Sequence, residues 1–241
     1  MGQVCLLCVV HDPNGRYIDI VQQAAEVLNA VYPDRYVAIS DQTTERTVCA
    51  LRDTGWTVQI VPKAGAANAR RDVLQMGQQT NHFRFHYCDL DRILTWVLNH
   101  PDELAAVKTA IVDYDFIIFG RTQRAFATHP PSWQATEAIT NHICSAELGQ
   151  LVDVTAGSCG MTRPALESIL HHSQAKVTDA EWPMIVHRIV AGSVGYRAVE
   201  GLEYLEDING SMADEQDAKS WCTRLRLSYL ISESVLTMRR E

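Results

Sequence analysis

The segment HYCDLDR, residues 86–92, ends an apolar run with Asp89 and Asp91 two positions apart, followed by Arg92. Two carboxylates so spaced suit a hard divalent cation, Mg2+ or Mn2+, which takes oxygen ligands and shares them with phosphate. On an extended backbone residues i and i+2 point the same way, so Asp89 and Asp91 would meet one ligand. The competing reading is local: Asp91 caps the helix-like stretch RILTWVLNH and Asp89 is a turn residue. A second D-x-D, Asp113 and Asp115, precedes the apolar run FIIFG. In open α/β sheets ligands bind beyond the carboxyl ends of the strands. The first pair is therefore expected at a site, and the second at a helix-to-strand junction.

The elements that must position these carboxylates show in the hydrophobic pattern. Apolar runs at 3–12, 36–41, 56–62 and 82–91 read as strands, and the stretches at 17–31, 44–55 and 65–79 between them carry helical periodicity. Gly55 is a plausible helix stop. Strand and helix alternating at short spacing predict a mostly parallel sheet with helices on both faces. Beyond residue 92 the rhythm loosens. Helices are expected at 92–100, 101–114, 132–149, 163–172, 179–191 and 218–238, and strands at 115–120, 151–162 and 195–205. A polar loop, RTQRAFATHPPS, falls at 121–132 and could contact an acceptor or a diphosphate through Arg121, Arg124, His129 or the nearby Trp133.

Net charge is −8 and the sequence pI is about 5.6, which disfavours bulk attraction to nucleic acid or acidic membranes. VCLLCVV is too short to span a bilayer, and no basic region precedes it. The seven cysteines mostly sit in apolar segments, as reduced thiols of a cytoplasmic protein would. Cys5 and Cys8 form a C-x-x-C inside a strand-like run, with no turn to bring the sulfurs together. A G-x-G-x-x-G after the first strand is absent, which argues against a nicotinamide-dependent enzyme. The apolar stripe Leu225, Leu227, Leu230 and Val235 of the last helix could serve the core or a homodimer.

The run GAANARRDVLQMG, then a strand, then CDLD, resembles the core of GT-A-fold glycosyltransferases, especially the family 2-like group. There a glycine- and alanine-rich helix start bearing an arginine precedes a strand ending in an acidic D-x-D. VVHDPNG and AISD fall where that fold holds the nucleoside. The resemblance covers residues 3–92; AGSCGMTR and DAEWP match the acceptor strand and the acidic catalytic segment more loosely. Three departures stand out: Arg71 where the family usually has Asn, HDPNG as the opening loop, and DAEWP in place of a Glu-Asp pair.

The resemblance implies one α/β domain over 1–241, with a nucleotide-sugar half (1–92) and an acceptor half (93–241). It implies transfer of a sugar from a UDP- or GDP-linked donor to the hydroxyl of a small-molecule or glycan acceptor, with Mg2+ or Mn2+ on Asp89 and Asp91. The alternative is a nucleotide-sugar-binding protein without turnover. Arg70 and Arg92 would meet the diphosphate beside Gly65 and Asp89, and His11, Asp12 and Asp41 the nucleoside. Arg70 could equally be a solvent-facing helix residue, Asp41 a helix cap, and His11 with Asp12 a plain turn. Gly157 and Ser158 would approach the acceptor, and Trp182 would offer it a flat face. Asp179 or Glu181 would deprotonate its hydroxyl; both also fit an ordinary helix start.

Overall fold

The computed structural model describes residues 3–210 and 216–236. Its elements run β1 (Val4–Val10), α1 (Ile18–Val31), β2 (Arg35–Ser40), α2 (Glu45–Asp53), β3 (Thr57–Val61), α3 (Ala66–Gln78), β4 (Arg84–Cys88), α4 (Leu90–Asn99) and α5 (Pro101–Ala110). Then come β5 (Phe116–Arg121), α6 (Gln123–Ala127), α7 (Pro131–Leu148), β6 (Ser158–Thr162), α8 (Arg163–His172), α9 (Glu181–Ile185), β7 (Val194–Val199), α10 (Glu206–Asn209) and α11 (Ala218–Ser234). The seven strands form one sheet in the order β3-β2-β1-β4-β6-β5-β7.

β1 sits inside the sheet and is apolar on both faces, as a strand covered by helices on each side must be. Val4, Leu6, Cys8 and Val10 enter one core with Leu28, Leu51, Leu94 and Trp96. Cys5 and Leu7 enter the other, with Val73, Phe85, Leu166 and Trp182. Helices therefore cover both faces, and the expected mixed α/β architecture holds. Thr44 rather than Asp41 caps α2, accepting from the Thr47 N–H at 3.4 Å. Gly55 stops that helix with φ 90°.

β6 runs antiparallel to both neighbours, with Ser158 opposite Cys88. This reversal matters for the site. It brings the start of β6, and the loop before it, to the carboxyl end of β4.

Several boundaries differ from the sequence expectation. The strand expected at 82–91 stops at Cys88, because Asp89 is the N-cap of α4 and Asp91 lies in its first turn. The i, i+2 argument for a shared direction therefore does not apply; both carboxylates instead line one cavity from the start of α4. The strand expected from 151 begins only at Ser158, since Val154–Ala156 forms a 3-10 turn and Gly157 is left-handed at φ 76°. The helix expected over 179–191 is α-helical only in α9 and then widens into a π turn over Val186–Val190. The strand expected over 195–205 ends at Val199, and α6 stands inside the loop expected at 121–132.

The stripe Leu225, Leu227, Leu230 and Val235 does not form one face. Leu227 and Val235 pack on the core while Leu225 is 55% exposed. Positions 237–238 of that expected helix lie outside the described residues. Asp115 accepts from the backbone N–H and hydroxyl of Ser193, both at 2.9 Å, and so ties β5 to the start of β7. Among the described residues no helix is long and apolar enough to cross a membrane.

Candidate functional site

The carboxyl ends of β1 to β4 open onto a cavity of about 420 Å3, with His11, Lys63, Gly65, Arg70, Asp89 and Asp91 in its wall. A second cavity, of about 350 Å3, shares Arg70 and Asp89 with the first. Its far wall comes from Trp133 on α7, from Lys176, and from Arg224, Leu227 and Ile231 on α11. The two cavities thus meet at one arginine–aspartate pair.

Arg70 projects from α3 into that junction. It donates to Asp89 at 2.8 Å, to Asp179 at 2.7 Å and to the Thr178 hydroxyl at 3.0 Å. Burial opposes its charge, but Asp179 and Asp89 outweigh burial and hold the guanidinium above its ordinary range. The Tyr87 hydroxyl donates to the other oxygen of Asp89, so both oxygens of that carboxylate have partners. Burial pushes the Tyr87 hydroxyl well up, which keeps it a neutral donor. The Asp89 N–H bonds the Gly157 carbonyl at 3.1 Å. A Cβ on Gly157 would lie 2.8 Å from the Asp89 carboxylate, so this approach requires glycine.

Asp91 is placed differently. One of its oxygens accepts from the Asn209 amide at 2.9 Å and lies 3.7 Å from Arg92 Nε. Arg92 turns to the second cavity, where it bonds His129 at 3.2 Å and lies over the Tyr204 ring. It lines the second cavity and not the first, where Arg70, Asp89 and Asp91 lie. Burial, then Arg121 and Arg92, push the His129 imidazole down to about 2, so it faces Arg92 as a neutral acceptor. Among the described residues no three His, Cys, Asp or Glu side chains gather to hold a metal ion. Asp89 and Asp91 on the wall of one cavity do fit a cation that takes its other ligands from a bound diphosphate.

At the far end of the first cavity His11 bonds Ser40 at 3.1 Å and Lys63 Nζ at 2.5 Å. Asp41 accepts from the Lys63 N–H at 3.1 Å and steadies that loop. No sequence motif singles out Lys63, although the carboxyl-end rule applied to β3 points at it. Gly65 opens α3 at φ 97°, and nothing lies within 4 Å of the point where a Cβ would stand, which leaves the helix start open to a ligand.

Four of the expected ligand contacts are corrected by burial. Asp12 is 1% exposed and accepts from the N–H groups of Arg16 and Tyr17 and from the Thr47 hydroxyl, so it closes its own loop. Glu181 is fully buried; it accepts from Ser173 at 2.5 Å and from the N–H groups of Gln174 and Ala175 at 2.7 Å, with Arg71 at 3.8 Å. That pairing also explains Arg71. Trp182 is 3% exposed, set edge-on against Tyr87, and has no face for a sugar. The Ser158 hydroxyl is buried against His86 at 2.9 Å. Asp179 alone of the expected acid pair reaches the second cavity.

The polar loop divides in the same way. Arg121 is buried in ion pairs with Asp153 at 2.7 Å and Glu137 at 2.8 Å, and Arg124 pairs with Glu200 and Glu203. Arg224, which no sequence pattern marked, pairs with Glu137 and stacks 3.9 Å from the Trp133 ring centre.

No protein-family model matches the chain, and no curated protein matches it in sequence. Solved structures do match. Glucosyl-3-phosphoglycerate synthase from Mycobacterium tuberculosis in complex with UDP aligns with TM-score 0.65 and 13% identity, over 100% of this chain and 82% of that one. The same enzyme with Mn2+, UDP and glucosyl-3-phosphoglycerate gives 0.65 and 11%, over 98% and 80%. With Mg2+ and UDP it gives 0.63 and 11%, over 98% and 79%. At this identity the likeness speaks for the fold: the chain has the GT-A architecture of these glycosyltransferases.

Proposed function

We propose that the chain transfers a sugar from a nucleoside diphosphate donor to a small anionic acceptor. The observation that carries this reading is the meeting of two cavities at Arg70 and Asp89. A donor in the first cavity would place its diphosphate beside Arg70, Asp89 and Asp91, and its nucleoside near His11 and Lys63. UDP is the favoured donor nucleotide, because it occupies the synthases of like fold. The residues fit Mg2+ or Mn2+, which would neutralise charge on the departing diphosphate.

The second cavity would take the acceptor. Arg92, Lys176 and Arg224 offer it cationic donors and Trp133 an aromatic wall. That suits a phosphate or carboxylate carried on a small body, and the neighbouring synthase binds phosphoglyceric acid. Asp179 is the carboxylate nearest this role as base. It is bonded to Arg70, so deprotonating an acceptor requires Arg70 to turn toward the diphosphate instead.

That same bond supports the second reading, nucleotide-sugar binding without turnover, since no unpaired carboxylate among the described residues waits beside the second cavity. One assay separates the two. A panel of UDP- and GDP-sugars with Mn2+ is incubated with and without 3-phosphoglycerate, and released nucleotide is measured. Release that depends on donor and acceptor supports transfer. Tight Mn2+-dependent UDP binding with no release under any condition supports the binding protein, and no nucleotide binding sinks both.

A further inference from the structure

We propose that Asn209 is a positioning residue for Asp91, an assignment that rests on the cation reading above. Its Nδ2 donates to Asp91 Oδ2 at 2.9 Å from 118 positions away in the chain. The direction of the amide is settled by its other end. Oδ1 accepts from the Leu205 N–H at 2.8 Å, with the Thr95 hydroxyl 3.4 Å away. A flipped amide would set N–H against N–H at Leu205 and oxygen against a carboxylate at Asp91. Asn209 is therefore a donor here and not an oxygen ligand for a cation.

The short helix α10 that carries it is pinned on both sides. Arg16 donates to the Ile208 carbonyl at 3.2 Å, and the Tyr204 hydroxyl to the Gly210 carbonyl at 2.5 Å. Thr95 also bonds the Asp91 carbonyl at 3.0 Å. With Oδ2 held, Oδ1 of Asp91 is left for a cation, and among the described residues no donor is bonded to it. Asp89 has both oxygens engaged. The second half of the chain thus fixes the aim of a carboxylate supplied by the first half, and outer partners of this kind commonly tune metal affinity.

Two variants test this, read by Mn2+ titration with electron paramagnetic resonance and by UDP calorimetry with and without Mn2+. Asn209→Ala should weaken Mn2+-dependent UDP binding by about tenfold or more while metal-free UDP binding stays at the parent's level. Asn209→Asp keeps the acceptor for Leu205 and replaces the N–H by a second carboxylate oxygen, so bare Mn2+ should bind severalfold tighter than to the parent. Shifts of opposite sign are not expected of a merely structural residue. If Asn209→Ala lowers the melting midpoint, Asn209→Asp carries the decision. A parent that responds to Mn2+ while both variants match it overturns the role of Asn209 alone. A parent that binds UDP equally with and without Mn2+ overturns the cation reading and this assignment together.

Discussion

Gly157 and Asp89 hold each other across the β4–β6 pair: the Asp89 N–H bonds the Gly157 carbonyl at 3.1 Å, and no side chain fits between them. Gly157 also sits at φ 76°, where a Cβ is strained. Gly157→Ala should cost about 1–3 kcal/mol of stability and push the Asp89 carboxylate off Arg70. Urea unfolding reads the first effect and UDP calorimetry with Mn2+ the second. Parent-like values in both would mean that the loop yields without moving Asp89.

The two D-x-D pairs should separate cleanly. Asp91→Ala is expected to abolish the Mn2+ dependence of UDP binding. Asp113→Asn with Asp115→Asn should leave nucleotide affinity within about threefold, at some cost in stability from the lost Ser193 bonds. A tenfold loss of affinity, about 1.4 kcal/mol, in a folded double variant would show that the wrong pair has been assigned.

Asp179 and Glu181 should fail in different assays. Glu181→Gln leaves the half-buried Arg71 without its counter-charge and weakens the buried bonds to Ser173, Gln174 and Ala175, so a stability loss of about 2–4 kcal/mol is expected. The folded fraction should turn over like the parent. Asp179→Asn should fold and bind UDP, but lose about 10²–10⁴-fold in transfer if it is the base. Equal turnover in Asp179→Asn would remove that role and favour a mechanism without a protein base.

Acid should destabilise the fold through His86. Burial pushes its imidazole down to about 3, and it bonds Tyr32 at 2.7 Å and Ser158 at 2.9 Å. Between about pH 3 and pH 6.5 the unfolded chain binds a proton at this site that the folded one does not. Stability therefore rises with pH across that window, by about 1.4 kcal/mol per unit below 6.5, and is complete above it. Urea unfolding at pH 5 and pH 7 should show a smaller difference in His86→Gln than in the parent. An unchanged difference would place the acid sensitivity elsewhere.

The first half of the fold is legible in the residues alone. Strand and helix periods are local, and Val4–Val10 is apolar enough to declare itself a strand covered on both faces. The carboxyl-end rule then marks Asp89, Asp91 and His11, and the resemblance adds Gly65; all four face one cavity. It does not tell a ligand from a structural carboxylate. Asp12, Asp179 and Glu181 look alike in sequence, because burial and partners separate them and those come from residues far along the chain. Folding is what pairs Glu181 with Arg71, sets Asp179 on Arg70, and turns Trp182 edge-on to Tyr87. It also brings Arg224 and Asn209 to the site. β6 runs against its neighbours, and no local pattern encodes strand direction. That single reversal delivers Gly157 to Asp89, while Trp133 of α7 and Arg224, Leu227 and Ile231 of α11 wall the cavity beyond it.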